Sequence, residues 1–345
     1  MTGPLVSILI PAFNAEQWIA ATIRSALAQT WEEKEIIIVD DGSRDRTLAI
    51  ARRYEGDRVR VTTQKNEGAA ATRNRAFSLS RGAMIQWLDA DDLLSANKIE
   101  RQMQARLTDS LATAKTLFSC AWGRFFYRES RSEFQPSPLW RDLSPSEWLI
   151  RKMSRNAHMQ TATWLVSREL TEAAGLWNTS LLSDDDGEYF CRVLMKSDGV
   201  RFVPDAKVFY RTSGAASLSY IGVSSRKIEA LWQSMRLHIK YLRMLDDGQV
   251  ARAACLQYLQ NWLPNFYPER LDLVAEMEEA AKALGGTLIP PRLPWKYAWI
   301  RPILGQKVTR HAQLSLPKLR WSVIRSLDKM ASHAETIRRV AKQGQ

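Results

Sequence analysis

An α/β architecture, a doubly wound and mostly parallel sheet followed by a helical C-terminal extension, is predicted by three observations. β-rich and helical runs alternate through the first hundred residues, acidic clusters stand where hydrophobic runs end, and from about Ser224 the pattern is helical throughout. Successive parallel strands joined by helices make a doubly wound sheet, whose ligands bind beyond the carboxyl ends of its strands.

The elements follow in order. Val6–Pro11 reads as a buried strand, and Glu16–Gln29 as an amphipathic helix with Asn14 placed to cap it. Ile36–Val39 ends at Asp40-Asp41-Gly42-Ser43, Asp45 is placed to cap a helix through Tyr54, and Val59–Thr63 gives a third strand. Gly68–Leu79 is Ala-rich and helical; Met84–Leu88 makes a fourth strand that stops at Asp89-Ala90-Asp91-Asp92, and Ser95 is placed to begin the next helix. Phe118–Tyr127 is a strand, Gln135–Leu139 a Pro-containing loop, and Ser144-Pro145-Ser146-Glu147 a capping box with Pro in the first turn. Thr161–Val166 reads as a strand, Ser167 caps a short helix ended by Gly175, Gly187–Lys196 is helical, and Arg201–Pro204 and Lys207–Arg211 follow as extended segments. Three helices then carry Leu231 to Leu245, Leu256 to Leu263 and Leu271 to Leu284, before Pro290, Pro291 and Pro294 mark a linker.

Composition narrows the class. With 345 residues and 45% hydrophobic content the chain can build a sizeable core. No stretch approaches the ~20 apolar residues of a membrane-spanning helix and no secretory leader is visible, so a cytoplasmic location is expected. Cys120, Cys191 and Cys255 are odd in number and lack C-x-x-C spacing, which argues against a disulfide framework or thiolate zinc site. The net charge of +12 is uneven: residues 1–221 hold 29 Lys+Arg against 27 Asp+Glu, residues 222–290 hold 8 against 8, and residues 291–345 hold 12 against 2. A basic tail on a nearly neutral body points to an anionic surface met by the tail.

Asp89 and Asp91 follow a hydrophobic strand at the edge where the fold places its ligands. Two carboxylates flanking one residue can aim at a common Mg²⁺ or Mn²⁺, which would bridge the phosphates of a nucleotide-sugar and neutralise charge on the departing diphosphate. The plainer alternative is that Asp91 or Asp92 caps the following helix, and for an isolated D-x-D it is the commoner case.

Context favours the ligand. Residues 5–92 resemble the donor half of glycosyltransferase family 2, enzymes of the GT-A fold. The resemblance rests on Val6-Ser7-Ile8-Leu9-Ile10-Pro11-Ala12-Phe13-Asn14, Ile37-Ile38-Val39-Asp40-Asp41-Gly42-Ser43, Asn66-Glu67-Gly68 with Ala71-Thr72-Arg73-Asn74, and Leu88-Asp89-Ala90-Asp91-Asp92, in that order. It implies that Pro11 and Phe13 lie along the nucleobase, that Asp41 accepts a hydrogen bond from it, and that Gly68 and Arg73 approach the nucleotide, Arg73 near the diphosphate. Asp89 would face the ribose and Asp91 bind the metal; Asp40 is a turn residue.

A second match covers Ala174–Arg211, where Gly175-Leu176-Trp177 precedes Asp185-Asp186-Gly187-Glu188-Tyr189-Phe190-Cys191-Arg192, as in the family's acceptor half. By position Asp186 resembles the general base that takes a proton from the acceptor hydroxyl. The plainer reading is that Asp184, Asp185 and Asp186 favour the positive end of a helix, which is compatible with that role. Their mutual repulsion would raise one pKa. Many relatives place a metal-binding His shortly after the last strand, whereas here Tyr210-Arg211 leads into Thr212-Ser213-Gly214. His158, Gln160 and Asp185 are further candidates for acceptor contact; Trp164 and Trp177 are sugar platforms or core residues.

In the tail, Leu316, Leu319, Val323, Leu327, Met330, Ala334, Ile337 and Ala341 recur at helical spacing among Lys and Arg, with Trp295, Trp299 and Trp321 upstream or near the start. That is a basic amphipathic helix, suited either to the cytoplasmic membrane face or to packing on the body. The expected organisation is a donor half at 1–110, an acceptor half at 111–221, a helical extension at 222–290 and a basic tail at 291–345. The expected activity is inverting, metal-dependent transfer from a nucleotide-sugar, UDP-sugar favoured, to a glycan or lipid-linked acceptor in cell-surface glycan or glycolipid synthesis. Two rivals are a non-catalytic carbohydrate-binding protein and a sugar-nucleotide pyrophosphorylase, whose Gly-rich loop is not what Pro11-Ala12-Phe13-Asn14 provides. No aromatic-studded basic sheet or zinc motif argues for nucleic acid.

Overall fold

The strands are, in chain order, β1 (Val6–Ala12), β2 (Lys34–Asp40), β3 (Val59–Thr63), β4 (Met84–Trp87), β5 (Leu93–Leu94), β6 (Thr116–Phe125), β7 (Val166–Ser167) and β8 (Gly199–Arg211). They form a five-stranded sheet of order β3-β2-β1-β4-β7 and a three-stranded sheet of order β5-β8-β6. In the larger sheet β1 to β4 run parallel, and only the short β7 is antiparallel. The computed structural model describes residues 3–212, 224–291, 322 and 324–335. Ser213 and Gly214, and in the tail Pro294, Trp295, Trp299, Leu316, Leu319, Trp321, Val323, Ile337 and Ala341, lie outside those residues.

Helices cover both faces of the sheet, which is why its strands read as continuous apolar runs and not as alternating ones. Side chains nevertheless sort by parity. Val6, Ile8, Ile10, Ile36 and Ile38 enter one hydrophobic cluster with Ile19, Ile23 and Met103. Leu9, Ile37, Val39, Ile85 and Trp87 enter the other, with Leu231, Met235, Leu242, Leu259 and Met277. Helices Ser225–Leu245, Gln249–Trp262 and Leu271–Ala283 therefore share a core with the sheet.

Local signals held where side chains satisfy backbone groups. Ser144 and Glu147 form the capping box of helix Pro145–Arg155, and Ser167 accepts from Leu170 N to open Arg168–Ala174, which Gly175 ends at φ +80. Elsewhere tertiary bonds redirected the chain. Asn14 is not a helix cap: at φ +47 its side chain accepts from Arg44 N, and the helix begins at Ile19. Thr161–Val166 is not one strand. Gln160 Oε1 accepts from Ala162 N and Thr163 Oγ1 donates to Gln160 O, winding Thr161–Thr163 into a 3₁₀ turn and leaving Val166–Ser167 to pair. The two extended segments around Pro204 are a single strand, β8, whose register against β6 shifts between Cys120 and Ala121.

Candidate active site

β1, β2 and β4 end side by side, so the residues just past them share one edge of the sheet. Phe13 follows β1 and is 47% exposed, while Pro11 on β1 is half-buried. Asp41 follows β2 and is buried; its carboxylate accepts from Gln64 Nε2 (2.9 Å), Asn66 Nδ2 (3.1 Å), Glu67 N (3.0 Å) and Gly68 N (2.9 Å). These bonds occupy the roughly four acceptor positions of a carboxylate, so Asp41 fixes the loop at residues 64–68 in this structure. Gly68 sits at φ +91, a conformation suited to glycine, with open space where a Cβ would point. Asp40, expected in the turn, is the last residue of β2, and its carboxylate accepts from Ser43 N in the turn that follows and from Thr63 Oγ1.

Arg73, on helix Ala69–Leu79, ties the two halves of the site together. Its Nη2 donates to Asp89 Oδ1 at 2.8 Å and its Nη1 to Asp185 Oδ2 at 2.9 Å, and its guanidinium lies 4.4 Å from the Trp177 ring centroid. Burial opposes its charge, but Asp89 and Asp185 outweigh burial and raise its pKa. The buried Nε has no hydrogen-bond partner among the described residues.

The Asp89–Asp92 turn divides its labour. Asp89 and Asp91 are half-buried, whereas Asp92 is fully buried and accepts from Gln160 Nε2 (2.5 Å) and Arg211 N (2.8 Å). Burial, and then the charges of Asp91 and Asp89, push the Asp92 pKa well up. No group of three or more His, Cys, Asp or Glu among the described residues could hold a metal. Asp89 and Asp91 still fit a hard dication: they supply two carboxylates in a turn whose excess negative charge already disturbs its neighbour, with further ligands to come from phosphate or water.

Arg211, at the end of β8, is the site residue whose role sequence reasoning missed. Its Nε donates to Asp91 O (2.7 Å) and its Nη1 to Phe126 O (2.9 Å), and its guanidinium lies 4.3 Å from both the Trp18 and Phe125 rings. It thus clamps the backbone of the acidic turn. The signal in the sequence is its position, at the end of the last strand, shortly after which many family relatives place a His.

On the acceptor side, Asp186 lies in the first turn of helix Asp185–Lys196, accepting from Gly187 N (2.9 Å) and Thr161 Oγ1 (3.3 Å). His158 is exposed, edge-on to Trp122. Two candidates are corrected. Gln160 is buried and committed to Asp92 and Ala162, so it supports the acidic turn instead of meeting an acceptor. Trp164 is 1% exposed and stacks on Phe190, so it is core and not a sugar platform; Trp177 is core too, with one face against Arg73.

Asp184 and Asp185 both have pKa values pushed up to about 6, chiefly by burial, and Asp186 adds to each. Asp184 sits at φ +56 and accepts from Ser234 Oγ; His238 beside it is held neutral by burial, its pKa down to about 3, and supplies no countercharge. A carboxyl group with a raised folded-state pKa contributes stability below its unfolded value near 4, and this is lost as pH rises toward 6. Asp184→Asn removes the charge and keeps a residue tolerant of positive φ. Urea unfolding should show the variant more stable than wild type at pH 7.5 by on the order of 1–2 kcal/mol, with the gain gone at pH 4. An equal difference at both values would contradict the assignment.

The sequence and the fold are similar to those of known proteins. Residues 7–172 match the model of glycosyl transferase family 2. An uncharacterised glycosyltransferase of Rickettsia typhi is 29% identical over 230 residues, covering 67% of this chain and 71% of the relative. The Escherichia coli UDP-Glc:α-D-GlcNAc-diphosphoundecaprenol β-1,3-glucosyltransferase is 38% identical over 113 residues, 32% of this chain and 45% of the relative, so the chain spans about half of that protein. Among solved structures, Staphylococcus aureus TarS with UDP-GlcNAc superposes with a TM-score of 0.63 at 16% identity, covering 81% of this chain and 80% of that one. A mannosyltransferase of Pyrobaculum calidifontis with GDP-Man and Mn²⁺ gives 0.53 at 18% identity, covering 97% and 87%. These structures share the fold. Residues 7–172 thus form a glycosyl transferase family 2 segment, carried on a fold of GT-A architecture.

Proposed function

We propose that the protein is an inverting, metal-dependent glycosyltransferase that moves a sugar from a nucleotide-sugar, UDP-sugar favoured, to an acceptor hydroxyl. The observation that carries this reading is the convergence of Asp89, Arg73 and Asp185 in one ion-pair chain, which joins the donor motifs to the helix that presents Asp186. Pro11 and Phe13 form the nucleobase side, beside the loop that Asp41 organises. Asp91, with Asp89, would hold Mn²⁺ or Mg²⁺, whose charge would balance that of the leaving diphosphate. Arg211 keeps the turn in place, and Arg73 adds positive charge beside it.

Asp186 would accept the acceptor's proton, which becomes acidic as the hydroxyl oxygen bonds to the anomeric carbon. One base and one displacement give inversion. The named activity of the E. coli relative and the UDP-GlcNAc and GDP-Man complexes of the neighbours support this substrate class. In the same reading the acceptor is a surface glycan or its lipid-linked precursor, met where residues 291–345 bring the enzyme to an anionic membrane face.

A panel of UDP-, GDP- and dTDP-sugars, screened by thermal shift with and without Mn²⁺, tests the proposal. One donor family should raise the melting temperature only with metal, by several degrees at saturating ligand. No shift with any donor would argue against the transferase reading.

A further inference from the structure

The segment 291–345 holds 12 Lys+Arg and two acids, Asp328 and Glu335. Both acids face the body. Residues 324–335 are helical, and Asp328 accepts from Tyr127 N (2.9 Å) and Arg128 N (3.3 Å) while its Oδ1 pairs with Arg128 Nε at 2.7 Å. Glu335 Oε1 pairs with Arg128 Nη1 at 3.0 Å. Asp328 is 9% exposed; burial works against its charge, yet these donors outweigh it and lower its pKa. No residue of 324–335 enters either hydrophobic cluster. The helix is docked by its polar edge.

Its other side is the reverse of a helix packed on a core. Leu327 is 57% exposed and Met330 62%, with Ala334 and Lys329 exposed as well. An amphipathic helix normally turns its apolar stripe inward; this one turns it outward, with the segment's only negative charges sequestered on Arg128. Among residues 324–335, what remains exposed is Ile324, Leu327, Met330 and Ala334 with the cation Lys329 and the polar Ser326 and His333, an apolar face carrying positive charge that complements an anionic lipid surface.

We infer that helix 324–335 is a lipid-binding face, held outward by a latch in which Arg128 of the body takes up Asp328 and Glu335. The occupant is an anionic bilayer, into whose headgroup region Leu327 and Met330 insert. The latch also orients the enzyme. Tyr127 and Arg128 directly follow Phe126, whose carbonyl holds Arg211, and Arg211 holds the Asp91–Asp92 turn. A bilayer on this helix therefore lies close to the candidate active site, where a lipid-linked acceptor would arrive. This deepens the membrane part of the proposed function and rests on it.

The test is co-sedimentation of the full chain with vesicles of phosphatidylcholine alone or with phosphatidylglycerol, at low salt and at 1 M. No donor is present, so the outcome is independent of the transferase reading; UDP titration of the same proteins reports on that reading and on folding. Wild type should bind only the phosphatidylglycerol vesicles, and less at high salt, where the screening length is about 3 Å. Leu327→Glu with Met330→Glu should weaken binding by about tenfold or more. Arg128→Ala should also weaken it, by releasing both acids toward the lipid, and Asp328→Asn with Glu335→Gln in that background should restore it. Equal binding by wild type and the Leu327/Met330 variant, or no lipid binding by wild type, would overturn the lipid face. An Arg128→Ala variant that binds as wild type does would overturn the latch.

Discussion

Asp91→Asn should abolish metal-dependent donor binding while leaving the fold intact. Arg211 Nε holds the turn by the Asp91 carbonyl and not its carboxylate, and Asp92 is anchored separately by Gln160 and Arg211 N. The substitution therefore removes a charge while these three anchors of the turn remain. Loss of one of two carboxylate ligands should lower affinity for UDP with Mn²⁺ by on the order of a hundredfold, about 3 kcal/mol. Calorimetric titration with and without Mn²⁺ checks this, and unchanged affinity and metal dependence would remove Asp91 from the site.

Asp186→Asn should spare donor binding and reduce turnover by about 10²–10⁴-fold, the usual contribution of a positioned general base. Asn Oδ1 still accepts from Gly187 N, and Asn Nδ2 can donate to Thr161 Oγ1 where the carboxylate accepted from it, so the helix start survives. Turnover should also fall as pH drops through about 6 in wild type. Asp185 then protonates, and Arg73 loses one of its two carboxylate partners. Near-normal turnover of the Asn variant with the natural acceptor would assign the base elsewhere.

Much of the fold was legible because its determinants are local. The runs at Val6–Pro11 and Ile36–Val39, the Ser144–Glu147 capping box and the Ser167 and Gly175 caps each specify structure within a few residues. What misled was long-range. Asn14 bonds across to Arg44, and Gln160 reaches Asp92 over 68 residues, so neither side chain was available for the role its neighbourhood suggested. The site's acidic residues were visible as clusters at strand ends; their connections were not. Arg73 bonds Asp89 16 residues away and Asp185 112 residues away, and a sequence offers no register for such a contact. Trp164 shows the complementary difficulty, since an aromatic side chain suits a sugar face and a core equally well, and only its burial decides.

The tail illustrates a further limit. Its helical spacing was readable, but the direction that Leu327 and Met330 face depends on Arg128, about 200 residues earlier. Helical periodicity identifies a face without saying what that face meets.

The most direct test of the central claim, that the Asp89–Asp91 turn holds a metal-bound diphosphate, is a crystal of the protein with UDP and Mn²⁺, read by anomalous scattering. The account predicts one Mn²⁺ peak about 2 Å from the Asp91 carboxylate and bridging the diphosphate oxygens. A peak bound elsewhere on the chain, or UDP bound in the crevice with no metal near Asp91, would contradict it.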